Sequence, residues 1–304
     1  MARVFVTRAV PGEALDRLRR AHEVTVWDGA LPPEPAVLRE ALAEAEGLLC
    51  LLTERVDRAL LDAAPRLRAI ANYAVGTDNI DLELTLARGI PVGVTPDVLT
   101  EATADLAFAL LLAAARRLPQ AAADARAGAW RTWEPAGWLG AEVDGAALGI
   151  VGFGRIGRAL ARRAQGFRMT VRSTADTQLD EILACSDYIS LHVPLTPRTR
   201  HLIDAAALKR MRPTAILVNT SRGAVIDQAA LIDALRAGEI AAAAIDVTDP
   251  EPPPPGDPVY DTPNLLVVPH IGSATHTARA RMTELAVENL LAGLNGRPMP
   301  HPAG

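Results

Sequence analysis

The chain has 304 residues, 49% hydrophobic and 22% charged, which suits one or two soluble domains whose cores need no disulfide or metal staple and excludes bulk disorder, collagen and coiled coil. A net charge of -5 argues against a nucleic-acid binder, which usually carries a basic face. Cys50 and Cys185 lack metal-ligand spacing and lie in apolar runs, so both read as small buried hydrophobes in a reducing cytoplasm.

The opening stretch alternates like a strand and is too short in apolar residues for a signal peptide. Strands are expected at 3–7, 23–27, 47–52, 68–72 and 91–94, and helices at 12–21, 35–45, 57–64 and 81–88. This alternation predicts a parallel sheet with helices on both faces. No glycine-rich turn follows the first strand, so a nucleotide belongs elsewhere. One long helix is expected over 100–128, apolar on all sides and therefore buried between domains, with Thr100 and Thr103 as cap and Gly128 as stop. Its greasiest part, 106–115, falls short of the about 20 residues a membrane span needs. Trp130, Trp133 and Trp138 follow in a loop-like stretch, which points either to a second subunit or to packing within the chain.

A second strand–helix series is expected, with strands at 147–151, 169–173, 187–191, 214–219, 242–246 and 265–268. A last helix over 274–293 reads as a return crossing. Gly152-Phe153-Gly154-Arg155-Ile156-Gly157 follows the first of these strands and opens a helix expected at 158–166. Gly152 allows the tight turn, Gly154 lets backbone approach a pyrophosphate, and Gly157 lets helix pack on strand. The phosphates would meet free N–H groups at the helix N-terminus. The residue that selects the cofactor lies at the end of the next strand. Asp176 there would favour NAD, and Arg172 with Ser173 and Thr174 would favour NADP; the register leaves both open.

Three further segments end on strand C-termini, the rim where an open parallel sheet binds its ligand. They are Asn219-Thr220-Ser221-Arg222-Gly223, Asp246 to Pro252 and Pro269 to Ala274. An arginine fork binds a carboxylate bidentately, an imidazole exchanges a proton near neutral pH, and a neighbouring carboxylate favours the protonated imidazole. Arg222, Glu251 and His270 are therefore the candidate catalytic set. Beside a hydride carrier they describe oxidoreduction of a 2-hydroxy or 2-oxo acid.

These stretches, with Tyr73 to Asp81, Val94 to Thr100 and His192 to Thr196, resemble the D-isomer-specific 2-hydroxyacid dehydrogenases over nearly the whole chain, most closely the glyoxylate/hydroxypyruvate reductase branch. The resemblance implies an α/β fold of two domains. A flavodoxin-like substrate domain would take 1–98 plus 275–304, and a Rossmann NAD(P)-binding domain 99–274. It implies NADPH or NADH as cofactor and glyoxylate or hydroxypyruvate as substrate, giving glycolate or D-glycerate. Arg222 would bind the substrate carboxylate and polarise the carbonyl, His270 would give the proton, and Glu251 would keep His270 protonated. Val75, Gly76 and Ser273 would line the substrate pocket. Thr103, Gly152, Gly154, Arg155, Ile156, Gly157, Pro194, Thr220, Asp246 and Gly272 match cofactor-contacting positions, and no metal is implied. A cytoplasmic homodimer through the Rossmann domain is expected, with Trp138 reaching the partner's site, and neither a nucleic acid nor a membrane as partner.

One departure stands out. Between the second Rossmann strand and the helix before Asp187 the chain is shorter than the family pattern by roughly fifteen residues, about one short helix plus one strand. Arg168 also replaces the usual glycine before Met169. The adenosine pocket should be altered and the choice between NAD and NADP weakened. Two alternatives remain: a non-catalytic dinucleotide sensor on the same fold, and a related dehydrogenase with another substrate such as phosphoglycerate.

Overall fold

Runs such as Gly47–Cys50 and Ala69–Asn72 are buried at every residue, as strands covered on both faces must be, and this favours parallel pairing. In the computed structural model, which describes residues 1–303, all strand pairs are parallel. The chain divides into two compact units: residues 1–99 with the segment from 274 onward, and residues 100–273.

The first unit alternates β1 (Arg3–Val6), α1 (Ala14–Ala21), β2 (Glu23–Val26), α2 (Pro35–Leu42), β3 (Gly47–Cys50), α3 (Arg58–Ala63), β4 (Ala69–Asn72), α4 (Leu82–Ala87) and β5 (Val92–Gly93). The sheet order is β2-β1-β3-β4-β5, the flavodoxin-like arrangement. Because side chains alternate along a strand, Val4 and Val6 pack with Leu15, Leu18, Val287 and Leu290, whereas Phe5 packs with Leu38, Leu42 and Leu61. Asp57 and Asp81 start α3 and α4 by accepting from Leu60 N and Leu84 N, satisfying end N–H groups that have no helical partner.

The second unit runs α5 (Thr100–Ala115), α6 (Leu118–Arg126), β6 (Ala147–Val151), α7 (Arg155–Gln165), β7 (Thr170–Ser173), α8 (Leu179–Cys185), β8 (Tyr188–Leu191), α9 (Ala205–Arg210), β9 (Ile216–Asn219), α10 (Gln228–Ala237), β10 (Ala242–Ile245) and β11 (Leu265–Val267). The last helix, α11 (His276–Leu294), completes the first unit. The sheet order here is β11-β10-β9-β8-β6-β7. Strand order reverses between β6 and β8, so the crevice outside their C-terminal ends is the place for a ligand.

Two expectations change, and the short connection expected after the strand at 169–173 is present. The helix expected over 100–128 is two, bent by 64°. Arg117 turns left-handed with φ 52°, and Pro119, two residues on, has no N–H to continue the ladder from α5 and sits in the first turn of α6. Within its own unit α5 is well covered: Ala107, Phe108 and Leu111 join the sheet core, and Arg163 of α7 pairs with Glu101 and Asp105 at 2.9 and 2.7 Å. By contrast α6 buries no residue. Next, α7 opens at Arg155, inside the glycine motif, not at 158. Finally, from Ser173 to Leu179 the chain passes through a single turn. β7 therefore stands at the sheet edge, with no strand beyond it among the described residues. Among the described residues no single helix is long and apolar enough to cross a membrane.

Candidate active site

β6 delivers the chain into Gly152, whose φ is 98°, a backbone region that glycine alone enters freely. A Cβ there would also stand 2.6 Å from His192 C and 2.7 Å from Val193 N, so the turn is pressed against the chain leaving β8 at the switch point. At Gly157 a Cβ would lie 2.3 Å from the Gly152 carbonyl oxygen, which holds α7 tight on the turn. Gly154, by contrast, has nothing within 4 Å of its Cβ position. The space beside Gly154, at the start of α7, is thus open, and a helix N-terminus there is where an anion would bind. Arg155 and Ile156 are the first two residues of that helix.

The residues here fit a dinucleotide on a second count. Thr220 is 8% exposed, and its hydroxyl is buried with no partner, a cost of about 1–3 kcal/mol that a ligand group would relieve. Thr220 lies at the end of β9, one strand from β8. In the turn after β7, Thr174 Oγ1 accepts from Gly152 N at 2.9 Å, and Ser173 is buried. Asp176 accepts from Thr177 Oγ1 at 3.1 Å.

The other rim segments converge on one another. Asn219, fully buried, ties the turn carrying Arg222: its Nδ2 donates to Arg222 O at 2.9 Å, and its Oδ1 accepts from Ser221 N and Oγ at 3.0 and 2.8 Å. Arg222 Nη1 donates to Ser221 O at 2.9 Å. Asp246 accepts from Ile271 N at 2.6 Å and Gly272 N at 2.8 Å. Burial pushes its carboxyl above the usual range, against the pull of these two donors and of His270. A Cβ on Gly272 would stand 3.1 Å from Asp246 Oδ2 and 3.4 Å from Thr103 Cγ2, so Thr103, Asp246 and Gly272 form one wall.

His270 Nδ1 lies 2.5 Å from Glu251 Oε1, and Glu251 Oε2 accepts from Thr248 N at 3.2 Å. The ring has its Nδ1 side committed to the carboxylate, which leaves Nε2 as the nitrogen for proton exchange. The His270 and Glu251 side chains keep 28% and 38% exposure, so both are reachable by a small molecule. Gly223 brings the Arg222 turn onto the Glu251 loop: a Cβ on it would meet the Thr248 carbonyl oxygen at 1.9 Å. Asp249–Pro250 and Glu251–Pro252 in that loop are cis.

The remaining candidates are placed as follows. Ser273 ends the second unit, half-buried, and Pro194 is exposed after β8. Val75 and Gly76 belong to the first unit, on the loop after β4, where buried Asn72 donates from Nδ2 to Gly76 O at 2.8 Å. No group of three or more His, Cys, Asp or Glu among the described residues is arranged to hold a metal ion.

The sequence reading missed Thr174 as a support of the glycine turn, Asn219 as the tie behind Arg222, and His192. Burial drives the His192 pKa down to about 4, with Ser190 Oγ 2.9 Å from its Nε2. Position at a strand end was the available signal for Asn219 and His192. Nothing in the sequence marked Thr174 for this supporting role, because it depends on β7 lying beside β6.

Known proteins resemble this chain over nearly its whole length. The profile described as "D-isomer specific 2-hydroxyacid dehydrogenase, NAD binding domain" matches residues 108–272. Glyoxylate reductase of Thermococcus litoralis is 47% identical over 317 aligned positions, covering 98% of this chain and 96% of that protein. Among solved structures, the TT0316 protein from Thermus thermophilus superposes with a TM-score of 0.94 at 50% identity, covering 99% of this chain and all of that one. The NADPH-dependent glyoxylate/hydroxypyruvate reductase from Sinorhizobium meliloti, in complex with NADP and malonate, gives 0.88 at 32% identity, covering all of this chain and 97% of that one.

Proposed function

The chain belongs to the D-isomer-specific 2-hydroxyacid dehydrogenases, and from that membership we propose that it reduces glyoxylate and hydroxypyruvate to glycolate and D-glycerate. It is an NAD(P)-dependent oxidoreductase of small 2-oxo acids; the two named substrates and the residue roles are the proposal. The observation that carries the residue roles is the 2.5 Å contact between His270 Nδ1 and Glu251 Oε1, on the same rim as Arg222; the substrates are those in the relatives' names.

Gly152, Gly154 and Gly157 would hold a reduced nicotinamide nucleotide, which would supply the hydride for the carbonyl carbon. Arg222 takes the substrate carboxylate through its planar fork and draws charge toward the carbonyl oxygen. As the carbonyl π pair moves onto oxygen, His270 Nε2 delivers its proton there, so the product is the neutral alcohol. Glu251 holds the ring through Nδ1 and balances its charge in the protonated form. Asp246, Gly272 and Thr103 shape the wall beside the reacting carbons. Gly152, Gly154, Arg155, Ile156, Gly157, Pro194 and Thr220 hold the dinucleotide. A short, polar acid fits this assembly of charged groups.

We extend the proposal to a cytoplasmic homodimer. Trp130 and Trp133 are 77% and 80% exposed on a segment without helix or strand, a surface that a second copy would cover. The deciding experiment is spectrophotometric: purified protein with glyoxylate or hydroxypyruvate, each with NADPH and NADH. Rapid oxidation of either nucleotide is expected. A folded protein that binds nucleotide yet oxidises none with either acid overturns the substrate assignment.

A further inference from the structure

Glu251 sits in a loop poor in backbone donors. Pro250 and Pro252 to Pro255 have no N–H, so few groups can anchor that stretch. Thr248 N is taken by Glu251's own carboxylate. Asp249 N, the donor immediately before the prolines, goes to Gln228 Oε1 at 3.1 Å. Gln228 is the first residue of α10, whose Leu231, Ile232, Ala234 and Leu235 are buried in the sheet core. Asp227 caps the same helix by accepting from Ala230 N. The amide oxygen of Gln228 therefore stands on a rigid element, while the loop it grips is not one. The second grip on Asp249, Arg200 Nη2 at 3.4 Å from Asp249 Oδ2, is exposed and correspondingly weak.

The same segment, residues 219–228, carries Arg222. It touches the Glu251 loop at Gly223 against Thr248 and at Gln228 against Asp249. We propose that Gln228 is a positioning residue that sets Glu251, and through it the His270 ring, relative to Arg222. The proposal rests on the reading above in which His270 passes the proton. Its physical content is a register: with the amide acceptor in place the loop has one seating, and without it Glu251 loses its fixed reach to Nδ1.

The test is a double-mutant cycle in the full-length protein. Gln228→Met keeps the side-chain length and removes the acceptor, and it should lower kcat about 10–100-fold, as a small misplacement near reacting atoms does. The KM for the 2-oxo acid and the Kd for dinucleotide should stay within about twofold, since Arg222 and the glycine turn are untouched. In a Glu251→Ala background the same change should cost nothing further, because the effect runs through Glu251. Gln228→Glu, which keeps an acceptor oxygen, should restore most of the rate. The ring-proton NMR signal of His270, identified by its loss in His270→Gln, should shift or broaden in Gln228→Met.

A loss of kcat that persists undiminished in the Glu251→Ala background overturns the proposal, as does an unchanged His270 signal. If the wild-type protein turns over no 2-oxo acid, the functional reading fails by itself, and the NMR arm still decides whether Gln228 sets the Glu251–His270 pair.

Discussion

Gly223 lies against the backbone of Thr248 so closely that a Cβ on it would stand 1.9 Å from the Thr248 carbonyl oxygen and 2.0 Å from its carbonyl carbon. Neither partner is a flexible side-chain end, so the clash moves backbone. Gly223→Ala should destabilise the protein by about 1–3 kcal/mol, the usual range for overpacking. It should also lower kcat by more than the stability loss explains, since it parts the Arg222 turn from the Glu251 loop. Chemical denaturation and steady-state kinetics on the same preparation check this; a variant of normal rate and stability would show that the two loops are not locked here.

The proposed roles of Arg222 and His270 separate kinetically. Arg222→Lys keeps the charge and loses the bidentate fork, so it should raise the KM for the 2-oxo acid by about 10–100-fold. His270→Gln should instead lower kcat by about 10²–10⁴-fold, the range for a lost general acid, with dinucleotide binding unchanged. Equal effects of both variants on KM alone would contradict the assignment of the proton to His270.

The glycines of the turn divide into structural and ligand-facing. Gly152→Ala meets His192 C at 2.6 Å with φ 98°, so its melting temperature should fall by several degrees. Gly154→Ala meets nothing within 4 Å, so it should fold with unchanged stability and bind NADPH and NADH at least tenfold more weakly, about 1.4 kcal/mol. Thermal melts with nucleotide titration by fluorescence separate the two outcomes.

Burial lowers the His192 pKa from 6.5 to about 4. The unfolded chain takes up this proton near pH 6.5 and the folded chain only near 4. In between, the unfolded state binds more protons, so the contribution is fully present above about pH 6.5 and is lost as pH falls toward 4, about 3 kcal/mol in all. Urea unfolding at pH 7.5, 5.5 and 4.5 should show a steeper loss for the wild type than for His192→Gln; parallel curves would place the acid sensitivity elsewhere.

Cofactor choice should be weak. β7 ends the sheet, Thr174 spends its hydroxyl on Gly152 N, and Asp176 is engaged by Thr177. No strand lies beyond β7 among the described residues. Dissociation constants for NADH and NADPH should agree within about tenfold, or about 1.4 kcal/mol, by isothermal titration. A discrimination of a thousandfold would mean that the turn after β7 builds an ordinary pocket.

The strand–helix rhythm and both parallel sheets were legible because strands buried on both faces are written as continuous apolar runs. The glycine motif was legible because backbone demands are written as residue type. Arg222, Glu251 and His270 were legible as candidates, since each lies in a segment that follows a predicted strand. The bend at Arg117 was not, although Pro119 marked it, because the apolar pattern runs through without a break.

What the sequence determined by itself is local: which segments become strands, where the turn must be glycine, and which side chains bear chemistry. What tertiary structure alone decided is adjacency. Thr174 reaches Gly152, Gly223 seats Thr248, and Gln228 grips Asp249 only because β7 flanks β6 and β9 flanks β10. The physical reason is that a hydrogen bond or a close backbone approach depends on distances set by the whole sheet, and no residue type records which neighbour the sheet will bring to it.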